Sequence, residues 1–402
     1  MKAKFKLIDG SVLSSLRYSR NFFIGRAAYL LTTTVLFLLS IAPAALLRFY
    51  PRGKSVICIG ERRHIQYDFV NYLKDAGLHA TYLAVRQSDA HWDKSDLFLA
   101  PRPLGISVAF EQFYFLWRYV MPNRVVHSHC MMGISNYQWE FFLLKLANCR
   151  IVAHLRGCEA RTRAVTIEKS PDVNICNKCD YEPNYLCMSK ENIRRRWVAR
   201  NIADVVLVTT PDMLDHFPEA YHLPFFLPRD IPTMLERTIQ QDRTRDNALR
   251  VLLITNQPGI EDAEEIRAAI KVLIEQGLTI QFSEASKKAR GELVEMLDNT
   301  DVLVGKLTMG YYANAQIEAI LSGIPTIFWI RSDLSNEKTL GLPLKNSSIA
   351  NIEGALKDTY ENRDLLYEHS VQAFDAIQEI HDTDSIMRAL IKHYRIDPGS
   401  LN

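Results

Sequence analysis

Residues 301–333 read DVLVGKLTMGYYANAQIEAILSGIPTIFWIRSD, and this stretch decides the fold. Its apolar and polar runs predict a buried strand, a loop, a short helix and a second buried strand, over residues 301–307, 308–314, 315–321 and 326–330. Gly323 ends the helix because glycine accepts the left-handed conformation that closes helices, and Pro325 keeps the helix from resuming. The stretch therefore predicts a βαβ unit, in which ligands bind outside the carboxyl ends of the strands.

One acid, Glu318, lies within the predicted helix. The amides of the preceding loop and the N-terminus of the helix can hold an anion. A carboxylate one or two turns into such a helix could reach the two hydroxyls of a ribose. The simpler interpretation is that Glu318 is a surface acid followed by a glycine-proline turn, because similar runs recur in other α/β units.

The motif EAxxxGxP at residues 318–325, followed by a strand, resembles the nucleotide-sugar site of bacterial, retaining, family 4-like glycosyltransferases with the GT-B fold. In that family two glutamates separated by seven residues precede the glycine and proline. Glu318 matches the second glutamate, which binds the ribose of the donor. The first glutamate would fall at Gly310, and the run GYY at residues 310–312 resembles instead a Gly-Trp-Tyr-Gly variant of one bacterial branch.

This resemblance implies an α/β chain of the GT-B class, with two Rossmann-like domains facing a cleft and a membrane-associated hydrophobic helix at the N-terminus. The length of 402 residues also suits two domains. The predicted parts are a basic, hydrophobic N-terminal segment, an acceptor domain with a cysteine-rich insertion at 158–187, a linker, a nucleotide-sugar domain and a C-terminal helix. They cover residues 1–54, 55–228, 229–248, 249–375 and 376–402, respectively.

The composition excludes several classes of protein. Hydrophobic residues make up 48% and charged residues 23% of the chain, which is typical of a globular rather than a disordered protein. A net charge of only +2 argues against a dedicated nucleic-acid-binding protein.

Residues 27–47, AAYLLTTTVLFLLSIAPAALL, carry no charge and are long enough to cross a bilayer as a helix, which needs about 20 residues. Six basic residues in 1–26 and five in 48–63 flank this segment, so a single crossing would strain the positive-inside rule. The long basic lead disfavours a cleaved signal peptide. We expect membrane attachment with a cytoplasmic catalytic body at the bacterial inner membrane. A span, a re-entrant segment, an in-plane helix and a buried core helix remain alternatives.

Two histidine-bearing runs follow predicted strands in the N-terminal half, HSH at residues 127–129 and HLR at residues 154–156. Both resemble family segments of the form H-x-H-G and H-G-x-D-x-R, which line the acceptor side and approach the donor sugar. Glu159 stands where the family more often has aspartate. A histidine at a strand end can also be purely structural. The catalytic candidates that this resemblance implies are His127, His129, His154 and Arg156.

Cysteines with the spacing C-x2-C-x7-C lie in an irregular stretch after the second of these runs. Zinc takes four tetrahedral ligands, and a C-x2-C pair holds one metal from a tight turn. A loop with little core of its own gains most from a metal or a crosslink. A disulfide and unlinked thiols remain alternatives. The predicted ligands of a structural zinc are Cys158, Cys176, Cys179 and Cys187.

The resemblance also implies where the donor binds. The first strand of the predicted C-terminal domain is followed by NQPG at residues 256–259, where the family often has a Gly-Arg pair and later a lysine that hold the donor diphosphate. Lys306 is the substitute candidate for that charge. Gly310 and Tyr311 would lie beside the phosphates or the base, with the ribose on Glu318. The GT-B fold normally stabilises the diphosphate without a metal, so we expect no catalytic cofactor.

The chain is therefore expected to be a glycosyltransferase that moves a sugar from a nucleotide-sugar donor to a lipid-linked or cell-surface polysaccharide acceptor, of the lipopolysaccharide, capsule or exopolysaccharide type. Its expected partners are the donor, the lipid-linked or glycan acceptor and the membrane. The alternative is a catalytically inactive, membrane-bound scaffold or binding protein in polysaccharide assembly, because the first glutamate and the diphosphate clamp are missing. A zinc-dependent hydrolase is disfavoured, since three or four cysteines would leave zinc no open position.

Overall fold

Two sheets dominate the structure, one of seven strands and one of five. The structure is a computed structural model that describes residues 10–87, 93–179, 181, 185–229, 233, 248–255, 257 and 261–396, leaving aside the side chains of residues 10–22. The strand pairs whose register is defined run parallel in both sheets. Parallel strands need long crossover connections, and helices supply them along this chain.

The first sheet contains β1 (Ser55–Arg62), β2 (His79–Gln87), β3 (Leu97–Phe98), β4 (Val125–His129), β5 (Arg150–Leu155), β6 (Val205–Val208) and β7 (Tyr221–His222). Their order is β3-β2-β1-β4-β5-β6-β7. Ser55 of β1 lies opposite His79 of β2, and Val56 of β1 lies opposite Val125 of β4. β1 and β4 are almost continuously buried, which is why their sequences are apolar runs rather than alternating patterns.

The second sheet contains β8 (Leu249–Ile254), β9 (Ile280–Ala285), β10 (Val302–Val304), β11 (Thr326–Phe328) and β12 (Pro343–Asn346), in the order β12-β11-β10-β8-β9. The two three-residue strands, β10 and β11, are fully buried within this sheet, and β8 beside β10 is mostly buried. Two parallel α/β sheets in sequence are what the expected fold class requires.

Twelve α-helices lie within the described residues. They are α1 (Gly10–Leu47), α2 (His64–Asp75), α3 (Ile106–Phe115), α4 (Glu140–Leu146), α5 (Arg163–Lys169), α6 (Lys190–Asn201), α7 (Ala263–Glu275), α8 (Arg290–Asp298), α9 (Asn314–Leu321), α10 (Ile352–Glu361), α11 (Leu366–Ile380) and α12 (Thr383–Tyr394). α7 shows why they form, because Ile266, Ile270 and Leu273 recur at helical spacing and are buried on one face.

The βαβ unit predicted from residues 301–333 is present as β10, α9 and β11. Both strands are shorter than predicted. β10 ends at Val304 because Gly305 has φ +159° and Lys306 has φ +59°, which turns the chain out of the sheet. α9 begins where the Gln316 side chain accepts a hydrogen bond from the Ala313 amide at 3.1 Å.

The chain forms two compact units, one comprising Met1–Val152 with Asn201–Asp204 and the other Ala153–Arg200 with Val205–Asn402. The predicted domain limits, residues 55–228 and 249–375, stay a prediction. The predicted linker, residues 229–248, lies almost entirely outside the described residues.

The two ends of the described chain are helical. α1 extends well beyond the apolar segment predicted at residues 27–47. Within the predicted C-terminal part, residues 376–402, α11 continues to Ile380, and a separate α12 begins after Asp382. The Asp382 carboxylate accepts a hydrogen bond from the Ser385 amide at 2.8 Å, which caps the new helix and explains the break.

Candidate functional site

A small, partly open cavity lies in the second compact unit. The loops that follow β5, β6, β10 and β11 line it, so it sits where parallel strands end. That is the position at which α/β sheets bind ligands. Its lining includes Arg161, Asp212, Asp215, His216, Thr308, Gly310, Trp329 and Arg331.

A buried ion pair joins Arg161 to Asp212 on one side of this cavity. Nε of Arg161 lies 2.6 Å from one carboxylate oxygen of Asp212, and Nη2 lies 3.2 Å from the other. Nη2 also donates to the Thr210 hydroxyl at 3.1 Å. Burial opposes the charge on Asp212, but the Arg161 guanidinium outweighs it and lowers the pKa of that carboxyl below its usual value. Within the described residues, Nη1 of Arg161 forms no hydrogen bond, so it can meet a ligand.

A second arginine, Arg331, lies in the loop after β11. Its Nη2 is 2.7 Å from the carboxylate of Asp215, and its Nε is 2.6 Å from that of Asp333. Its backbone amide donates to the Gly310 carbonyl at 3.0 Å. Gly310 has φ +81°, which favours glycine, and a β-carbon there would lie 3.5 Å from Cβ of Arg331. The two lining arginines are each paired with an acid, so the cavity is balanced in charge.

His216 completes the cavity wall beside the first ion pair. Its Nδ1 accepts a hydrogen bond from the Thr162 amide at 3.1 Å, which places the ring proton on Nε2. Burial, and then the charge of Arg161, lower the pKa of His216 to about 4. The ring is therefore neutral at pH 7 and acts as a hydrogen-bonding group rather than a cation.

Glu318, the predicted ribose ligand, is buried on α9 and does not face bulk water. Its Oε2 lies 2.9 Å from Nη1 of Arg290, at the start of α8. Glu318 is not among the residues that line the cavity. The surface-acid interpretation is therefore wrong for this side chain, which is 5% exposed.

The other predicted donor ligands have different surroundings. Lys306 forms an ion pair with Glu261, whose carboxylate also accepts a hydrogen bond from the Thr255 hydroxyl. Tyr311 is buried and stacks on Tyr312, with ring centroids 4.4 Å apart. Of the four predicted donor ligands, which are Lys306, Gly310, Tyr311 and Glu318, Gly310 lines the cavity.

His127 and His129 lie on β4 in the first compact unit and are completely buried. Both rings contact Phe69 of α2, with centroids 4.7 and 4.9 Å away, and they lie 4.7 Å from each other. These two predicted catalytic histidines are thus brought together inside the unit. Direct contact with a substrate would require this packing to open.

His154 and Arg156 belong to the second compact unit, at the end of β5 and just after it. His154 is buried, and the Arg156 guanidinium lies 5.4 Å from the Phe225 ring centroid. Glu159 occupies the position where the similar family more often has an aspartate. Its carboxylate accepts hydrogen bonds from the backbone amides of Arg156 and Gly157. Its carboxylate therefore holds its own loop. The catalytic roles of His154 and Arg156 stay predictions.

The four predicted zinc ligands are free thiols in the second compact unit. Within the described part of the chain, no three of their sulfurs lie within 4.8 Å of one another. Burial raises the pKa of the Cys158 thiol to about 12, and Cys187 and Cys176 add smaller contributions in the same direction. Arg163 donates to the Cys176 carbonyl, and Arg196 donates to the Cys187 carbonyl at 2.7 Å.

Sequence reasoning did not select most of the residues that line the cavity. Arg161 ends the run that begins at His154, and Asp212 follows β6 in a Thr-Pro-Asp turn. Both positions come just after strands, which is the signal that could have found them. Arg331 and Arg290 give no comparable signal, since a single arginine in a loop or at a helix start is usually solvent-facing. The site residues that the structure adds are Arg161, Asp212, Asp215, His216, Arg290 and Arg331.

Several solved structures have folds similar to that of this chain. Sucrose-phosphate synthase from Thermosynechococcus elongatus has a TM-score of 0.55 at 12% identity, covering 85% of this chain and 98% of that one. The catalytic domain of starch synthase IV from Arabidopsis thaliana, bound to ADP and acarbose, has a TM-score of 0.55 at 10% identity, covering 86% and 100%. WaaG, a glycosyltransferase involved in lipopolysaccharide biosynthesis, has a TM-score of 0.50 at 12% identity, covering 84% and 99%.

No family model matches this chain. No curated protein matches it either. At identities of 10–12% the shared property is the fold. The predicted fold class, an α/β chain of the GT-B type with an apolar N-terminal helix, is confirmed.

Proposed function

We propose that this protein is a glycosyltransferase that moves a sugar from a nucleotide-sugar donor to a lipid-linked or cell-surface polysaccharide acceptor. The observation that carries the proposal is the charge-balanced cavity of the second compact unit, in which arginines and aspartates surround Gly310 and Trp329. The similar folds of a glycosyltransferase involved in lipopolysaccharide biosynthesis and of a starch synthase bound to ADP and acarbose support this class of reaction.

In its charge the cavity matches the sugar of the donor better than its diphosphate, although it would have to widen to admit a ligand larger than a water molecule. Because Arg161 and Arg331 are each paired with an acid, the lining has no excess of positive charge to attract a diphosphate. A sugar ring, in contrast, carries hydroxyls that both donate and accept. Carboxylate acceptors next to guanidinium donors match that pattern, and Trp329 adds an aromatic surface for the apolar edge of the ring.

The ribose of the donor is assigned to Glu318. Its ion pair with Arg290 uses one oxygen, Oε2, at 2.9 Å. An ionised carboxylate has roughly four acceptor sites, so further hydrogen bonds from ribose hydroxyls are compatible with the pair. Arg290 then supplies a positive charge close to the donor nucleotide.

The reaction breaks the bond between the anomeric carbon and the diphosphate oxygen, while the acceptor hydroxyl oxygen bonds to that carbon and its proton passes to the departing diphosphate. Negative charge grows on the departing nucleoside diphosphate, and fixed donors that point at it lower the barrier. The loop amides at residues 308–310 and the Arg290 guanidinium are candidates for this role. Lys306 is a weaker candidate, because its ammonium group already pairs with Glu261. Retention of anomeric configuration rests on the family resemblance alone.

Calorimetry on the full-length protein with UDP-, GDP-, CMP- and ADP-sugars tests the proposal. We expect one sugar nucleotide to bind more tightly than its sugar-free nucleotide. Asp215→Asn should reduce this sugar-dependent gain, whereas Glu318→Gln should weaken both ligands. Asp375→Asn, which makes the same chemical change at an exposed position on α11, is the control. If Asp215→Asn lowered the affinity for the sugar nucleotide and for the sugar-free nucleotide equally, the sugar would not bind in this cavity.

The competing proposal is an inactive scaffold in polysaccharide assembly. It is favoured by the internal partners of the two charged donor candidates, since Lys306 pairs with Glu261 and Glu318 with Arg290. A scaffold of this kind would bind none of the sugar nucleotides in the panel and would hydrolyse none of them. Binding of one of them, lost in Glu318→Gln, rules the scaffold out.

We also propose that the enzyme works at the cytoplasmic face of the bacterial inner membrane. The support is α1, whose segment Phe23–Leu47 has a mean hydropathy of 2.2 and is long enough to cross a bilayer. Length and composition alone do not separate a membrane helix from a core helix. Fractionation of cells that express the full chain, followed by a salt wash and a detergent wash of the membrane pellet, tests the location.

A structural zinc bound by Cys158, Cys176, Cys179 and Cys187 is a further part of this proposal. The insertion that carries these cysteines has little core of its own, which is where a metal adds most stability. Arg163 and Arg196 hold the carbonyls of Cys176 and Cys187, and their positive charges would balance a zinc with four thiolates. Small rotations of the side chains would have to bring the sulfurs together.

Metal analysis combined with thiol labelling tests the zinc site. We expect about one zinc per chain and slow labelling of the four thiols until a chelator is added. Cys176→Ser should lose the metal, whereas Cys149→Ser, a buried cysteine in the first compact unit, should keep it. Fast labelling of Cys176, Cys179 and Cys187 in the native protein argues against bound zinc, and thiols that label only after reduction indicate a disulfide.

A further inference from the structure

α1 turns its small and polar side chains toward the body of the first compact unit. Tyr29, Thr33, Ser40 and Ala44 are buried, and their spacing of four, seven and four residues places them on one face of the helix. This face packs against α3 and α4. α1 is therefore not an appendage that leaves the unit but a helix docked along its side.

Specific contacts hold this face at several points between residues 25 and 40. The Tyr29 hydroxyl donates to Oε1 of Gln112 at 2.6 Å, and the Trp117 indole donates to the Ser40 hydroxyl at 3.2 Å. Near the start, Gly25 approaches the unit so closely that a β-carbon would lie 2.7 Å from the Leu104 carbonyl oxygen. The docked length, from residue 25 to residue 44, is about 30 Å at about 1.5 Å per residue.

The opposite face of α1 is apolar and exposed. In a soluble protein the apolar stripe of a surface helix faces the core, but here the arrangement is reversed. A contiguous exposed apolar patch of this kind marks a membrane or protein contact. The large apolar side chains on this face are Leu31, Val35, Leu38, Leu39 and Leu46, and Leu30 and Ile41 are exposed at its edge.

The neighbouring helix α3 adds a second exposed apolar stripe, because Ile106, Phe110 and Tyr114 recur at intervals of four residues. Exposed arginines accompany the two helices, and anionic lipid head groups attract such charges. The combination of apolar faces with basic residues therefore complements an anionic bilayer surface. These arginines are Arg26, Arg48 and Arg118.

We propose that α1 lies in the plane of an anionic membrane, with its outward face in the interfacial region, and does not cross the bilayer. A crossing over the docked length would draw α3 and α4 into the hydrocarbon. α4 carries Lys145, which pairs with Asp204, and Arg102 beside α3 pairs with Glu111 at 3.4 Å. Charged pairs at partly exposed positions are costly in hydrocarbon, so the axis of α1 runs along the surface.

This inference rests on the proposed membrane location and not on the proposed sugar transfer. It selects among the alternatives for the apolar segment, because a span and an in-plane helix place its residues at different depths. A span puts the middle of the segment deepest and both ends shallow. An in-plane helix puts residues of the outward face at one common, shallow depth.

Depth-dependent fluorescence quenching separates these cases. An environment-sensitive fluorescent amino acid is placed in turn at Leu31, Leu38 and Leu46 of the full-length protein, which is then bound to phosphatidylglycerol-containing vesicles. Spin-labelled lipids with the quencher at different depths report the position of each probe. We expect the same shallow depth at all three sites. A depth that is greatest at Leu38 and small at the other two sites would overturn the proposal in favour of a span.

Charged substitutions provide the second measurement. Leu31→Asp combined with Leu38→Asp should reduce the vesicle-bound fraction at least tenfold without altering the circular dichroism spectrum, because both side chains are exposed. Ile274→Asp, at an exposed apolar position of α7, should leave binding unchanged. The proposal would be overturned if the native chain did not bind vesicles and instead self-associated as its concentration rose. The exposed apolar face of α1 would then be an interface with a second copy of the chain. Nucleotide-sugar binding in solution is measured separately and does not depend on this outcome.

Discussion

Glu318 and Arg290 form an ion pair in which Nη1 of the arginine lies 2.9 Å from Oε2 of the acid. The acid is on α9, after β10, and the arginine begins α8, before β10. The two helices that flank one central strand thus contribute opposite charges to the same place. If Glu318 holds a ribose, the nucleotide binds beside a fixed positive charge.

Glu318→Gln tests this arrangement through the ribose hydroxyls themselves. We expect the native protein to prefer a ribonucleotide sugar over its 2′-deoxy analogue by about tenfold or more, since a lost hydrogen bond to a charged group costs about 1.5–3 kcal/mol. The variant should bind both analogues almost equally. Glu361→Gln, at an exposed position at the end of α10, should retain the preference. A preference that survives in Glu318→Gln would place the ribose elsewhere.

The Arg161–Asp212 pair should contribute strongly to stability. Removing one partner of a buried ion pair costs about 3–5 kcal/mol because it leaves an uncompensated charge. We therefore expect Asp212→Asn to lower the free energy of urea unfolding at pH 7 by about 3 kcal/mol. Asp375→Asn, on the surface of α11, should change it by less than about 0.5 kcal/mol.

The pH dependence of the same variant gives an independent check. The pKa of Asp212 is lowered in the folded protein, because Arg161 outweighs the effect of burial. A depressed folded pKa contributes stability that is present above the unfolded value, near 3.9, and is lost as the pH falls through the folded value. The native protein should lose this contribution in acid, and Asp212→Asn should not. If the free energy of unfolding fell equally for both proteins as the pH decreased below 4, Asp212 would not be the group responsible for this contribution.

Gly310 and Gly277 form a matched pair of glycines. Gly310 has φ +81° and lines the cavity, whereas Gly277 has φ +96° and a β-carbon there would meet no atom within 4 Å. Alanine at either position should cost about 1–2 kcal/mol of stability through the left-handed backbone. We expect only Gly310→Ala to weaken binding of the sugar nucleotide as well, as measured by calorimetry. If Gly310→Ala and Gly277→Ala bound the sugar nucleotide with equal affinity, the loop of Gly310 would not be part of the binding site.

Much of the fold could be predicted, because the apolar runs in the sequence coincide with buried strands and the glycine and proline positions coincide with the ends of helices. Residues 301–333 combine a short apolar run, a glycine that closes a helix and a proline that prevents its continuation. The structure has strand, helix and strand in that order. The strand ends were less predictable, because the positive φ angles of Gly305 and Lys306 arise from the loop rather than from an apolar pattern.

The candidate site was harder to predict, because its ion pairs join residues far apart in the sequence. Arg331 meets Asp215 across more than a hundred positions, and neither residue has a distinctive local motif. Lys306 was predicted as a counter-charge for phosphate, and sequence could not reveal that Glu261 already neutralises it. Only Gly310 was both predicted as a donor ligand and found in the cavity wall.

Asp262 should make the stability of the second compact unit depend on pH. It is 4% exposed and precedes α7, and its carboxylate accepts hydrogen bonds from the Thr308 hydroxyl at 2.9 and 3.1 Å. Burial raises its pKa to about 6, although Thr308 and nearby lysines act in the opposite direction. A raised folded pKa contributes stability that is present below the unfolded value and is lost as the pH rises through about 6.

Asp262→Asn should remove this loss. A difference of about two pKa units corresponds to about 3 kcal/mol, so the variant should exceed the native protein by up to that amount above pH 6 and match it below pH 4. Asparagine also tolerates the φ of +60° at this position. Urea unfolding at pH 4, 5, 6 and 7 measures the difference, with Glu264→Gln, an exposed acid in the first turn of the same helix, as the control. A gap between Asp262→Asn and the native protein that stays constant from pH 4 to pH 7 would show that Asp262 does not titrate in this range, and the pH dependence would then have to come from another group.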